Sequence, residues 1–273
     1  MLIDTHAHVN FNAFKNDGEE VIKRALADNV WLVNVGSQYS TSARAVKIAQ
    51  QRERGVYAAI GMHPIHLGSE KFQTSVDKNE EVEFETREEE FSREKYEALI
   101  SHPKTVAVGE IGLDYYHNIS NKEQQKKLFL EQINLAAEHQ KPIIVHCRDA
   151  HNDVLEILEE KQKEYGNRLR GVVHSFSGRL AQAERYVKLG FYLGFNGIIT
   201  FARDYDKVIS NVDLGNLLTE TDCPYLTPVP FRGKRNEPLY VKYVVEKLAE
   251  IKNLPVEKIS EATFENAREL FNI

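Results

Sequence analysis

Eight short apolar runs, rich in β-branched residues, recur along this chain, and a helical pattern separates each from the next. The runs are Leu2–His6, Trp31–Gly36, Val56–Gly61, Val106–Glu110, Ile143–His146, Val172–Ser175, Tyr192–Phe195 and Leu217–Thr221. Amphipathic stretches fall between them at Gly18–Asn29, Ser42–Arg54, Arg93–Ser101, Lys122–Gln140, Asn152–Lys163, Leu180–Leu189 and Asp204–Asn211. Two more, Glu237–Ile251 and Val256–Phe271, follow the last run. Parallel strands cannot be joined by a tight turn; they need a crossover, usually a helix. The alternation therefore predicts a parallel sheet. Eight repeats in 273 residues predict a closed (β/α)8 barrel of the TIM type, with parallel strands, rather than an open doubly wound sheet.

The length suits one domain spanning residues 1–273, and a hydrophobic content of 42% supplies an ordinary globular core. One segment breaks the rhythm. Residues Ser69 to Tyr96 are polar and Glu-rich without a clear apolar face, which predicts a solvated excursion leading into a helix. A net charge of -6 neither requires nor excludes an anionic partner, because local patches decide that. No basic n-region with a long apolar run opens the sequence, and no run reaches the length of a membrane span. Cys147 and Cys223 offer no disulfide framework. The expectation is a cytoplasmic protein with no membrane association and no obligate protein partner.

The stretch LIDTHAHVNF places His6 and His8 at the end of the first run. Residues two apart on a strand share a face, so both imidazoles can point inward at the C-terminal end of the barrel, where active sites form. Other runs repeat the arrangement. VAVGEIGLDYY supplies Glu110, PIIVHCRDA supplies His146, GVVHSFSG supplies His174, TETDCPYLTP supplies Asp222 and AAIGMHPIHL supplies His63. A single polar strand end means little. Several together are costly to desolvate unless a cation or substrate pairs them. His6, His8, Glu110, His146, His174 and Asp222 are thus the predicted metal ligands. His63 either touches substrate or hydrogen-bonds in its loop. His66, His102, His117, His139 and His151 lack that setting and read as surface or capping groups. Cys147 and Cys223 each follow a proposed ligand, so alternation turns them away as packing residues.

These ordered motifs, together with YLGFNGIITF, RGKRNEP and NARELF, make the sequence resemble the TatD family of metal-dependent deoxyribonucleases, within the amidohydrolase superfamily. The resemblance covers nearly the whole chain; the acidic segment after GMHP looks longer than the family norm. It implies two divalent cations. His6, His8 and Asp222 would hold one, His146 and His174 the other, and Glu110 would bridge them. A carboxylate with two oxygens suits a bridge, and paired cations suit phosphoryl transfer. Asp222 is also placed to accept or orient the proton of the attacking water. The resemblance implies activity with Mg²⁺ or Mn²⁺, whereas imidazole-rich donor sets also take Zn²⁺ or Ni²⁺.

Cationic groups cluster at the same barrel end. Arg148 follows the fifth run, Arg203 the seventh, and PFRGKRNEP brings Arg232, Lys234 and Arg235 beyond the eighth. They suit a phosphodiester; Arg203 and Lys234 read equally well as solvated surface groups. Tyr115 and Tyr116 either stack on bases or pack at the rim, and Phe201 and Tyr225 read as packing. The resemblance implies hydrolysis of single-stranded DNA from its 3′ end, and of RNA as well. Two other readings stay open: an ester or amide hydrolase on the same scaffold, with aminoacyl-tRNA as one target, and a non-catalytic metal-binding interaction protein.

Overall fold

The apolar runs become strands β1 (Leu2–Ala7), β2 (Val30–Val35), β3 (Val56–Ile60), β6 (Thr105–Asp114), β7 (Ile143–Arg148), β8 (Gly171–Val173), β9 (Phe191–Phe195) and β10 (Leu217–Thr219) in a computed structural model of the chain. The structure describes residues 1–68, 71–77, 80–85, 88–117 and 121–273, with backbone alone for 71–77 and 80–85. The eight strands form one sheet in the order β1-β2-β3-β6-β7-β8-β9-β10, every neighbouring pair parallel. Its two edges meet. Ala7 bridges Cys223, His8 N–H donates to Cys223 O at 2.9 Å, and Asp222 N–H donates to His6 O at 2.8 Å. The result is a nearly closed barrel.

Helices α1 (Gly18–Ala27), α2 (Tyr39–Gln50), α3 (Arg93–Ile100), α4 (Lys122–Glu138), α5 (His151–Tyr165), α6 (Leu180–Lys188), α7 (Asp206–Asn211), α8 (Val241–Lys252) and α9 (Val256–Phe271) cover the outside. Outward-facing strand residues such as Leu32, Ala58, Val108, Val145 and Leu193 join helix residues such as Val46, Phe129, Leu155 and Val245 in one large core. A second cluster takes Val33, Ala59, Ala107, Ile144, Val172 and Leu218 from six of the eight strands and adds Ala267, Leu270 and Phe271 of α9. His146 and His174 stand two residues beyond Ile144 and Val172, on the same strand face. The apolar layer thus forms a floor beneath the imidazoles. No helix among the described residues is long and apolar enough to cross a membrane.

Within the acidic excursion the structure adds an element the sequence reading did not include, an antiparallel strand pair, β4 (Lys71–Asp77) with β5 (Glu80–Glu85), in a sheet separate from the barrel. Its register sets Phe72 opposite Phe84 and Thr74 opposite Val82. The period-2 apolar pattern behind that pairing is masked by the intervening glutamates. Residues 69–70, 78–79 and 86–87 of the segment lie outside the described residues. One expectation needs correction: His66 and His151, read as surface or capping groups, are buried.

Candidate metal centre

β6 is longer than its apolar run, and the extra length explains how Glu110 points inward. Between the pairs Val108↔Ile143 and Ile111↔Val145, β6 advances three residues while β7 advances two. One extra residue is a bulge, and a bulge changes which face the following side chains take. Ala107 faces the interior floor, yet beyond the bulge Glu110, Gly112 and Asp114 share the interior face, with Gly112 level with His146. At Gly112 the backbones nearly touch: a Cβ there would lie 1.9 Å from the His146 carbonyl oxygen, at a φ of +148°.

The side chains converge on Glu110. Its Oε1 lies 2.8 Å from His174 Nε2, 2.9 Å from His146 Nδ1 and 3.5 Å from His63 Nε2. Its Oε2 lies 3.5 Å from His6 Nε2 and 3.8 Å from His8 Nε2. His6 and His8 place their Nε2 atoms 3.1 Å apart, and Asp222 Oδ1 is 3.8 Å from the first and 3.4 Å from the second. Asp222 reaches inward from a left-handed backbone, φ 57°, just past β10. The structure therefore brings all six predicted ligands, and His63, into one cluster, buried except for the part-exposed His146 and Asp222.

Hydrogen bonds settle which nitrogens are free. His8 Nδ1 meets the Val35 carbonyl at 2.8 Å; a carbonyl only accepts, so Nδ1 carries the proton and Nε2 keeps its lone pair. His63 is the reverse. Its Nδ1 accepts from Ile65 N–H at 3.0 Å, so the neutral ring carries its proton on Nε2 and donates toward Glu110. His146 Nε2 lies 3.1 Å from Asp114 Oδ2, which leaves Nδ1 toward Glu110. Asp114 also accepts from His117 Nδ1 at 2.7 Å.

Charge follows this geometry. Burial alone raises the Glu110 carboxyl, but His174, His63 and the hydrogen bonds from His146 and His174 outweigh it and hold it well below the usual carboxylate range. Burial likewise lowers His174, yet Glu110 and Glu220 more than reverse it and lift this imidazole well above its ordinary value. Burial, His174 and His8 push His6 down, and burial with His146 pushes His63 down further.

The donor set fits a cation. Ligand atoms about 2.1 Å from one ion lie about 3.0–3.5 Å from one another in tetrahedral or octahedral shells. The spacings above fall close to that range. Three groups bring their donor atoms within 4.8 Å of one another: His6, His8 and Asp222; His6, Glu110 and His174; and His63, Asp114 and His146.

Sequence reasoning missed two buried carboxylates that face ligand imidazoles. Asp114 orients His146, and Glu220 accepts from Ser175 N–H at 2.6 Å while lying 3.5 Å from His174 Nδ1. Each stands an even number of residues from a predicted ligand, Glu110 or Asp222, and that spacing was the available signal.

The predicted substrate contacts divide. Arg148 is exposed and lies over the Tyr116 ring at 4.0 Å; Arg232 lies over Phe201 at 4.0 Å and donates to Thr227 O. Arg203 pairs with Asp206. Arg235 pairs with Asp17 through both terminal nitrogens, donates to Ala13 O and covers Phe14. Tyr115 donates its hydroxyl to Asp153 at 2.7 Å and lies beneath Lys122, away from the cluster. Cys147 and Cys223 are buried free thiols.

The chain is similar in sequence and in fold to known proteins. The sequence pattern of the family described as TatD related DNase matches residues 3–272. A Bacillus subtilis protein described as the uncharacterized metal-dependent hydrolase YabD is 44% identical over the full length of both chains. The crystal structure of YjjV, a TatD homologue from Escherichia coli, superposes with a TM-score of 0.85 at 33% identity, covering 100% of this chain and 98% of that one. A hydrolase of the TatD family from Entamoeba histolytica, 20% identical, shares the fold at a TM-score of 0.81, over 99% of this chain and 97% of that one.

Proposed function

Because the chain belongs to the TatD-related DNase family, we propose that it is a divalent-metal-dependent phosphodiesterase, a deoxyribonuclease that trims single-stranded DNA from the 3′ end and accepts RNA as well. The observation that carries this reading is Glu110, one buried carboxylate whose two oxygens face two different sets of imidazoles. His6, His8 and Asp222 would hold one cation and His146 and His174 the other, with Glu110 shared. Mg²⁺ or Mn²⁺ is the working ion, and Zn²⁺ or Ni²⁺ competes for the imidazoles. When bound, such cations supply Lewis acidity toward phosphoryl oxygens and make water a nucleophile near neutral pH.

The chain's own groups do the rest. Asp222 Oδ1 faces His6 and His8, which leaves Oδ2 to accept the proton of the attacking water. The fixed tautomer of His63 makes Nε2–H a donor to a phosphoryl oxygen beside Glu110. Arg148 and Arg232 lie at the mouth of the barrel and meet flanking phosphates. Arg203 is exposed and retains a weaker role of the same kind, whereas Arg235 and Tyr115 position loops through Asp17 and Asp153.

The deciding experiment is a time course on 5′-labelled single-stranded DNA, using metal-stripped protein resupplied with Mg²⁺, Mn²⁺ or Zn²⁺. The expected result is a metal-dependent ladder shortening from the 3′ end and abolished in Glu110→Ala. Intact DNA despite confirmed metal binding overturns the reading and moves the substrate to an ester or amide, for which aminoacyl-tRNA and simple esters are the next panel.

A further inference from the structure

Five large apolar side chains are exposed among the described residues: Met1, Tyr116, Phe201, Val229 and Val256. Met1 and Val256 lie at the floor end, where Ser260 of α9 donates to Met1 O. The other three lie at the mouth of the barrel, on loops that leave the C-terminal ends of β6, β9 and β10. Two are aromatic, and each is paired with an exposed arginine. Tyr116 is 61% exposed, and the Arg148 guanidinium sits 4.0 Å from its ring centre. Phe201 is 43% exposed, with Arg232 at 4.0 Å. An aromatic ring left about half exposed calls for an explanation when it recurs beside a buried ionic cluster.

The two pairs are built alike from adjacent strand ends. Tyr116 stands two residues past Asp114, and Arg148 two residues past His146; Asp114 and Arg148 are in register, and Tyr115 N–H donates to Arg148 O at 2.9 Å. Two residues of extended chain is about 7 Å, so this pair sits one short step from the imidazoles. Phe201 follows the turn after β9, Arg232 the loop after β10, and Val229 N–H ties the two loops together through Thr200 Oγ1 at 2.9 Å. In sheet order the pairs flank β8, the strand that leads to His174.

We infer that Tyr116 with Arg148, and Phe201 with Arg232, form two base-stacking platforms that grip successive nucleotides of a single strand on either side of the metal cluster. Each ring keeps one π-face for a base, and each guanidinium, seated 4.0 Å over the ring centre, offers N–H donors to the neighbouring phosphate. A duplex keeps its bases stacked inside and cannot use such platforms; a single strand can. The inference deepens the phosphodiesterase reading and rests on it for the identity of the ligand.

Its test is made on binding, separately from cleavage. Affinity is measured by fluorescence anisotropy, with Ca²⁺ supplied, for a fluorescein-labelled oligothymidine and for a strand of equal length whose residues are tetrahydrofuran abasic units. Stacking is worth about 1–3 kcal/mol per base, so with two platforms wild type binds the base-bearing strand about thirtyfold or more tighter. Tyr116→Ala and Phe201→Ala each shrink that preference at least fivefold while leaving the abasic strand's affinity nearly unchanged. Tyr116→Phe and Phe201→Trp retain the preference. Arg148→Ala weakens both strands alike and flattens the salt dependence. Equal affinity of wild type for the two strands, absence of binding to either, or a preference that survives both alanine variants overturns the inference. Cleavage of the labelled strand in Mn²⁺ is scored in parallel. A base preference without cleavage sinks the nuclease reading and leaves the platforms standing; cleavage without a base preference does the opposite.

Discussion

At the residue scale, the cluster works because its imidazoles are oriented from behind. Asp114 accepts from His146 Nε2 and turns Nδ1 toward Glu110, and nothing else among the described residues meets that Nε2 so closely. Removing such an orienting carboxylate typically costs tenfold to a hundredfold in metal affinity. Asp114→Asn should therefore weaken Mn²⁺ binding by about that factor in calorimetry while the far-UV spectrum stays native; unchanged affinity would show that His146 needs no help. His151 makes a different prediction, about stability. It is buried against Cys147, with Sγ at 3.2 Å, and against the Tyr186 hydroxyl at 3.2 Å. Burial pushes its imidazole down to about 4, against an ordinary 6.5. The unfolded chain then takes up the proton first. The contribution is fully present above about pH 6.5, declines as acid is added and levels off below about 4, with a span of about 3 kcal/mol. Urea midpoints measured from pH 8 to 4 should fall more steeply for wild type than for His151→Gln. Parallel curves would place the titration elsewhere.

At the scale of the element, β6 carries the most information per residue. Its bulge turns Glu110 inward, and Gly112 lets β6 press against the β7 backbone at His146. Gly112→Ala meets both a forbidden backbone conformation and a collision with a carbonyl that cannot move without β7. It should cost about 3 kcal/mol or more in urea unfolding. Gly215→Ala, where a methyl meets nothing within 4 Å, is the control and should stay within about 0.5 kcal/mol. If the two substitutions cost the same, the close approach at Gly112 has no energetic meaning. The bulge also marks where sequence reasoning stops. Alternation of apolar runs with helices was enough to foresee eight parallel strands, because each crossover helix has its own apolar stripe. Imidazoles at strand ends were enough to single out His6, His8, His146 and His174. A bulge leaves no periodic trace, so β6 read as ending at Glu110, and Asp114 went unnoticed four residues on. Glu220 was hidden the same way, two residues before Asp222 in a run read only for its last acid. The rim arginines were visible as charges, but their partners were not. Asp17 stands 218 residues from Arg235, and no local pattern links them.

At the scale of the whole molecule, the barrel has a seam, and the candidate centre lies across it. β1 and β10 are the ends of the sheet order, tied by the Ala7–Cys223 bridge, by the backbone bonds at His8 and Asp222, and by Thr5 Oγ1 donating to Thr219 O at 3.1 Å. Below the imidazoles, buried Asp4 accepts from Thr221 N–H at 2.8 Å and from its hydroxyl at 2.5 Å. His6, near the end of β1, and His8, just past it, stand on one side of this seam, and Asp222, past the end of β10, stands on the other. A cation held by those three residues would staple the two ends of the sheet together. Binding to the folded state alone stabilises by about 2.7 kcal/mol at a hundredfold excess over Kd, which for a chain of this size is about 5–10 °C in Tm. Adding Mn²⁺ to stripped protein should raise Tm by that amount, and Asp222→Ala should abolish the gain. Hydrogen exchange assigns the effect to a place. Protection should increase most at the His8 and Asp222 amides and little at the Ile143 amide, which donates to Arg170 O far from the seam. A Tm gain with exchange slowed uniformly around the barrel would mean that the ion stabilises the cluster without closing the sheet. No gain at all would mean that the three ligands do not act together on one ion.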